Sequence, residues 1–398
     1  MTNPLNSSIL VINCGSSSLK FSSYNLAGLK LEISGNMSGI GEGTGYLKIT
    51  NGQGQMLENK RRKYSDLKSA VKSLIILLKS DRYHVNLVAI GHRLVQGGPD
   101  HREPQLITIE LLQQLHEFVY LAPNHLPGEL DTVKAFRSAF PKIPQMACFD
   151  TAFHKDLPAY VKHYPLPEAY QKKGLIKYGF HGLSYAYILQ KLLAENPAAV
   201  HQKIIIAHLG NGASMAAINN GECRDTTMGL SPIGGLVMST RSGDLDPGVI
   251  LFLLKQYHLN VDQLDGLLSK QSGLIAIAGI GDMEALLTIA TTDSSAALAI
   301  QVFCYQAKKH IGALAAALGG LDLLVFTGGI GANSPIIREY ICRDMSFLGI
   351  ELNKRANLKN QETISLNTSR VSIRALPTHE ELIIAQAVSS LLNPQTKN

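Results

Sequence analysis

The chain has 398 residues, 45% of them hydrophobic and 17% charged, with 35 glycines and a net charge of +6. Such a length favours two or more domains, each with its own core. The positive excess is mild and spread out, which suits small anionic ligands; the one basic cluster, Lys60-Arg61-Arg62-Lys63, has no aromatic ladder beside it and reads as a solvated face rather than a nucleic-acid surface.

Taken in chain order, "SILVIN" (8–13) predicts a buried strand, "CGSSS" a turn and "LKFSSYNL" a second strand. Helical patterns follow near 66–80 and 108–118. "LVAIGHRLVQGG" (87–98) reads as a strand running into a glycine-rich loop, with Arg93 just past the strand. "IPQMACFDTAFH" (143–154) reads as a strand ending at a polar corner. Pro158, Pro165, Pro167 and Gly174 mark a loop-rich crossing and a plausible domain boundary. "KIIIAHLGNGASMAAINNGE" (203–222) predicts strand, glycine-rich turn, strand, and a hairpin turn at Asn219-Asn220-Gly221. Laid on "LVINCGSSSLKF", it places His208 on Asn13 and Gly210 on Gly15, a pattern of internal duplication. Helices are expected near 246–258, 295–318 and 334–342. The stretch from Ile311 to Phe326 carries Asp322 and a glycine pair, so it reads as helix, turn and strand. In the tail, a helix is expected from Thr378, with Glu381 completing a capping box.

Two further readings concern location. The five cysteines (14, 148, 223, 304, 342) form no CxxC pair and are odd in number, which suits a reduced, cytoplasmic chain. No basic start precedes the first apolar run, and no uncharged apolar stretch approaches the roughly 18 residues of a membrane span. Neither a membrane nor a nucleic acid is therefore expected as a partner.

Strands alternating with helices in two halves suggest two α/β domains around a cleft. Several polar loops sit at strand ends: Asn13 to Lys20, Arg93, Asp150, His181 in "YGFHGLS", "HLGNG" (208–212), Arg241 in "STRSGDLDPG", and "FTGGIG" (326–331). Each alone has a structural explanation: a turn, a surface salt bridge, a helix cap, a core histidine. Together they form the inventory of phosphoryl transfer: backbone N–H groups and Lys for phosphates, a metal ligand, and cations over developing charge.

The motifs "VINCGSSSLKF", "GHRLVQGG", "LAPNHLP", "FDTAFH", "YGFHGLS", "AHLGNGASMAAI", "DTTMGLSPIGGLVMSTRSGDLDPG", "FTGGIGANS" and "PTHEEL" resemble, in order and spacing, those of the acetate kinase family. This family makes acyl phosphates and lies within the sugar kinase/Hsp70/actin-like superfamily. The resemblance spans essentially the whole chain. It implies two duplicated ribonuclease H-like α/β domains around a nucleotide cleft. One comprises residues 1–150, completed by a C-terminal helix 381–398; the other, residues 151–380, binds nucleotide.

Residue by residue, the resemblance implies Asn13 and Glu380 at a Mg²⁺ (or Mn²⁺) site and Lys20 at the nucleotide. Arg93 and Arg241 would grip the carboxylate and the transferring phosphoryl. Asp150 matches the family's catalytic Asp, His181 its transition-state His, and His125 a further active-site His. Nucleotide loops map to His208, Leu209, Gly210, Asn211 and Gly212, to Asp282, Met283 and Glu284, and to Gly329, Ile330, Gly331, Ala332 and Asn333. Val95, Asn124, Phe180 and Pro232 map to the substrate pocket. ATP/ADP and a small carboxylate (acetate or acetyl phosphate) are the implied substrates, and a homodimer the implied assembly.

The nucleophile, a carboxylate with a pKa of about 4–5, is ionised at neutral pH and needs no general base, so Asp150 is expected to orient other groups. The sequence departs from the family pattern at Asn124 and Leu126 around His125, where Leu and Asn are usual. It departs also at Glu284, where Arg is usual, at Leu183-Ser184-Tyr185 for Thr-Ser-His, and at "SPIGG" (231–235) for "TPLEG". Acyl and nucleotide preference are the features these changes touch. A propionate or other short-chain acid kinase is the neighbouring reading, and a non-catalytic nucleotide-binding regulator the reading from a different class.

Overall fold

The computed structural model describes residues 7–15, 17–80, 82–83 and 85–392. It divides into two compact units: residues through Ala152 with those from His379 onward, and Phe153–Thr378.

The first unit is built on an eight-stranded sheet: β1 (Ser8–Cys14), β2 (Ser18–Asn25), β3 (Leu31–Ser38), β4 (Gly45–Asn51), β5 (Met56–Arg62), β6 (Leu87–Leu94), β7 (Gln105–Leu106) and β8 (Gln145–Phe149). Their spatial order is β5-β4-β3-β2-β1-β6-β8-β7. β1 to β5 form an antiparallel meander, whereas β6 lies parallel to both β1 and β8. β1 is buried along its whole length, which is why it reads as a continuous apolar run. Lys60, Arg61 and Arg62 of the basic cluster lie on β5, the edge strand, where exposed Lys and Arg discourage edge-to-edge pairing, and Lys63 follows it. Helix Glu380–Leu392 packs on β6 so closely that a Cβ at Gly91 would lie 2.5 Å from Ile384 Cγ2. That contact fixes the helix whose first residue is Glu380.

The second unit carries β9 (Ile204–Leu209), β10 (Ala213–Asn219), β11 (Glu222–Thr226), β12 (Leu323–Thr327) and β13 (Ser372–Ala375), in the order β11-β10-β9-β12-β13. β9 to β11 are antiparallel, and β12 runs parallel to β9 and β13. The order β3-β2-β1-β6-β8 of the first unit repeats here strand for strand, with β1 in the place of β9, so the duplication seen in the sequence has a topological counterpart. Asn220 and Gly221 take φ of +52° and +73°, the backbone a two-residue hairpin turn demands. The long helix Ser294–Leu318 supplies much of this unit's core. Among the described residues, no single helix is long and apolar enough to cross a membrane.

Three local expectations are corrected. Arg93 lies inside β6, not beyond it. The C-terminal helix begins at Glu380 rather than Thr378, and the Thr378 hydroxyl is buried without a hydrogen-bond partner, so the expected capping box does not form. The loop-rich crossing holds two four-residue helices, Ala159–Lys162 and Glu168–Gln171, too short for any periodicity to show. Ser16, in the expected first turn, and residues 393–398 of the expected terminal helix lie outside the described residues.

Candidate active site

In the first unit, the parallel strands β1, β6 and β8 deliver their carboxyl ends to one edge of the sheet, the edge at which open α/β sheets bind ligands. Asn13, Arg93 and Asp150 arrive there together. Arg93 Nε donates to Asp150 Oδ1 at 3.1 Å and Nη2 donates to Oδ2, a bidentate pair, while Nη1 donates to Asn13 Oδ1 at 3.1 Å. Asp150 is 1% exposed, and both its oxygens face the guanidinium. Glu380 joins from the terminal helix, its Oε2 lying 3.8 Å from Arg93 Nε and 3.5 Å from Asn13 Nδ2.

Electrostatics follow from this crowding. Burial works against the Arg93 charge, but Asp150 and Glu380 outweigh it and hold the group above its ordinary range. Burial, then repulsion from Asp150, pushes Glu380 up to about 7 against the pull of Arg93. Lys20 is the cross-strand partner of Asn13, and its charge reaches Glu380. His125 is the N-cap residue of helix Leu126–Ala139.

One group here escaped the sequence reading. Glu129 is 2% exposed, its Oε2 accepts the Val95 N–H at 3.0 Å, and its Oε1 has no partner. Burial pushes its carboxyl up to about 8, although Arg93 draws it down. A glutamate in the first turn of a helix looks ordinary in sequence, and nothing there signals burial. Leu126 is fully buried in the same cluster as Leu94, Val95 and Leu130, while Asn124 is half-buried.

In the second unit, "HLGNG" closes the β9–β10 hairpin and "GGIGAN" follows β12, the parallel neighbour of β9. A Cβ at Gly210 would lie 3.8 Å from Gly329 N, so the two loops adjoin. The glycines of "FTGGIG" serve different needs. Gly328 has φ +78° and no room for a Cβ, which would lie 2.6 Å from Leu209 O. Gly331 is packed inside the short helix Gly328–Asn333. Gly329 faces open space, where a ligand could approach the backbone. Thr327, just before them, is fully buried with an unpartnered hydroxyl.

Around Gly212 the side chains converge: a Cβ there would lie 3.2 Å from His181 Nε2 and 3.6 Å from Arg241 Nη1. Arg241 is held by the Pro232 carbonyl at 3.0 Å. His181 sits at φ +57°, a costly conformation for a non-glycine residue, which is a mark of functional sites. It is locked from behind by His154, whose Nε2 lies 3.0 Å from the carbonyl of buried Phe180. Burial pushes His154 down to about 4, so its ring is neutral and Nε2–H donates. His181 stacks on His208 with ring centroids 4.4 Å apart. Asn211 is tied to Ser239, which in turn abuts Gly281. Of the next three residues, Asp282 caps helix Met283–Ile289, Met283 is buried in the core, and Glu284 is exposed in the first helical turn.

Two α/β units of common strand order, with carboxylate-locked arginine on one sheet edge and paired glycine loops beside histidines and arginine on the other, define an ATP-type phosphotransferase. The chain matches the model of the Acetokinase family over residues 8–386. It is 41% identical to the acetate kinase of Bacteroides thetaiotaomicron, covering 96% of this chain and 99% of that protein, and 39% identical to that of Clostridium novyi, covering 96% and 98%. Among solved structures, acetate kinase from Porphyromonas gingivalis superposes with a TM-score of 0.86 at 36% identity, covering 97% and 100%. A propionate kinase from Francisella tularensis superposes with a TM-score of 0.89 at 35% identity, covering 96% and 98%. The chain belongs to the acetokinase family, and is a kinase that transfers phosphate to a carboxylate.

Proposed function

We propose that the protein transfers the γ-phosphoryl group of ATP to acetate, reversibly, giving acetyl phosphate and ADP. The observation that carries this reading is the full-length likeness to acetate kinases at about two-fifths identity. Propionate or another short carboxylate is the second reading, favoured by the likeness to a propionate kinase structure. Burial of Leu126 beside Val95 supports an apolar acyl pocket, with leucine filling from the far side of His125.

The substrate carboxylate is already ionised, so it attacks the γ-phosphorus directly as the bond to the bridging oxygen of ADP breaks. The chemical difficulty is repulsion between two anions. Arg93 answers it at the carboxylate and Arg241 at the phosphoryl, because a guanidinium matches planar oxyanions through paired N–H groups. Asp150 orients: with each of its oxygens accepting from Arg93 it holds that fork in place. His181 donates to the transferring group. Lys20, the loops 208–212 and 329–333, and the 282–284 turn hold the nucleotide.

Among the described residues, no three His, Cys, Asp or Glu groups are arranged to hold a metal. Mg²⁺ nevertheless fits, because it keeps several waters and takes few protein oxygens beside phosphates. Asn13 Oδ1 and the Glu380 carboxylate would hold it (Mn²⁺ likewise), and when bound it neutralises phosphate charge. A homodimer is part of the same reading. Its support is helix Pro247–Gln256, which buries no residue and leaves Leu251 53% and Phe252 54% exposed. All five cysteines are buried and free, which suits the reducing cytoplasm.

The test is a panel of carboxylates with ATP and hydroxylamine, which converts acyl phosphates to hydroxamates. Acetate should give the highest kcat/KM. A higher value for propionate moves the assignment to the second reading, and no hydroxamate from any acid removes both.

A further inference from the structure

Behind His181 lies a chain of hydroxyl groups. Ser214 Oγ is 2.8 Å from His181 Nδ1, and the Tyr185 hydroxyl is hydrogen-bonded to the same Ser214 Oγ. Ser214 and Tyr185 are both fully buried. On the preceding residue of Tyr185's helix, Gly182–Glu195, Ser184 Oγ lies 2.8 Å from His208 Nδ1. Of these two adjacent helix residues, Ser184 meets the inner nitrogen of His208 directly and Tyr185 reaches that of the stacked His181 through Ser214, while the outer His181 nitrogen, Nε2, faces the Gly212 loop.

The direction of the chain is set by chemistry. A serine hydroxyl has one proton and can pass one hydrogen bond onward while accepting another. Of the two end groups, phenol is the stronger donor and imidazole nitrogen the stronger acceptor. The sequence of donation is thus Tyr185 O–H to Ser214 Oγ, and Ser214 O–H to His181 Nδ1. With Nδ1 accepting, a neutral ring must carry its proton on Nε2.

We propose that Tyr185, acting through Ser214, is a positioning residue that fixes His181 as the neutral Nε2–H tautomer and makes it a hydrogen-bond donor to the transferring phosphoryl without prior protonation. The proposal rests on the reading that His181 touches that group. It assigns a purpose to Tyr185, which stands where the family pattern usually has histidine. Among the described residues, the titratable and charged groups set against His181 include His208 stacked from β9, Tyr185 from its own helix, and Arg241 beyond Gly212.

Without Tyr185 the serine is free to accept from Nδ1–H, and the ring can switch to the tautomer that leaves Nε2 bare. Only the imidazolium then donates from Nε2. Tyr185→Phe should lower kcat about 10-fold or more at neutral pH, with KM for ATP and carboxylate changed by less than about 3-fold. Its kcat should also gain an ionisation in the imidazole range, about pH 6–7, with the rate rising as pH falls. Ser214→Ala should do the same, and serves if Tyr185→Phe fails to fold. Nitrogen-15 NMR of the wild-type protein, labelled at histidine, should show His181 protonated at Nε2 and bare at Nδ1. A wild-type kcat and pH profile in both variants, or the opposite tautomer in the spectrum, overturns the proposal. His181→Asn separates the two claims: if it loses activity while Tyr185→Phe does not, the relay fails alone; if it retains full turnover, His181 leaves the site and the proposal goes with it.

Discussion

Asp150 has both carboxylate oxygens on Arg93, and this pairing decides what the aspartate can do. If it orients the guanidinium, Asp150→Asn should lower kcat without rescue by small added bases such as formate or imidazole; restoration by such a base would point to proton abstraction instead. Arg93→Ala and Arg241→Ala should each lower kcat/KM by roughly 10²-fold or more, since each leaves developing anionic charge uncompensated. Near-normal turnover in steady-state assays would remove that arginine from the site. Glu129 allows a prediction about stability. Its carboxyl is raised in the folded chain from 4.5 to about 8, so between those values the folded state binds a proton that the unfolded state has released. Stability from this group is present at low pH and is lost as pH rises through that window, at up to about 1.4 kcal/mol per pH unit. Denaturant titrations at pH 5.5, 7 and 8.5 should show Glu129→Gln gaining on the wild type as pH rises, and a constant difference would contradict the assigned protonation. His181 stood out by its motif alone and sits at the start of helix Gly182–Glu195, not at the strand end expected of it, whereas Asn13, Arg93 and Asp150 were legible because motif and strand end coincide. Glu129, Ser214 and the function of Tyr185 were not, because their significance lies in burial and in a neighbour across the fold.

Among the elements, the short helix Gly328–Asn333 depends on Arg338, which is fully buried. Its Nη1 donates to the Gly331 carbonyl at 2.8 Å, while Nε donates to Asn357 Oδ1 at 2.7 Å and Nη2 to Asn360 Oδ1 at 2.6 Å. These three contacts are all neutral acceptors, and burial lowers its pKa to about 10. Arg338→Met removes charge-assisted hydrogen bonds worth about 1.5–3 kcal/mol each and frees the glycine helix. The expected result is a lower Tm and a raised KM for ATP, with KM for the carboxylate unchanged. An unchanged KM for ATP would mean that the nucleotide does not sense this helix. Elements themselves were read unevenly from sequence. The Asn219-Asn220-Gly221 hairpin was legible because few residues accept two successive positive φ values. The start of the terminal helix was misplaced because "THEE" carries the letters of a capping box while the Thr378 hydroxyl makes no capping hydrogen bond. Arg338 gave no signal, since a charged residue on a helix ordinarily faces water.

At the scale of the whole molecule, the repeated strand order was foreshadowed by two hairpins, but its full extent needed, in each sheet separately, the parallel pairing of β6 with β1 and β8 and of β12 with β9 and β13, strands far apart in sequence. The expectation of a dimer comes from the family resemblance, and the exposed apolar helix Pro247–Gln256 is its proposed face. The double variant Leu251→Glu, Phe252→Glu should shift the molar mass in light scattering to that of one chain, and an unchanged mass would place the interface elsewhere. The central claim is phosphoryl transfer between a carboxylate and a nucleotide, and phosphorus-31 NMR follows it directly in the reverse direction. Purified protein with acetyl phosphate, ADP and Mg²⁺ should convert the acyl phosphate signal into the γ resonance of ATP, as the two resonances of ADP give way to the α and β resonances of ATP. Acetyl phosphate that persists, or that yields only inorganic phosphate while ADP remains, would contradict it.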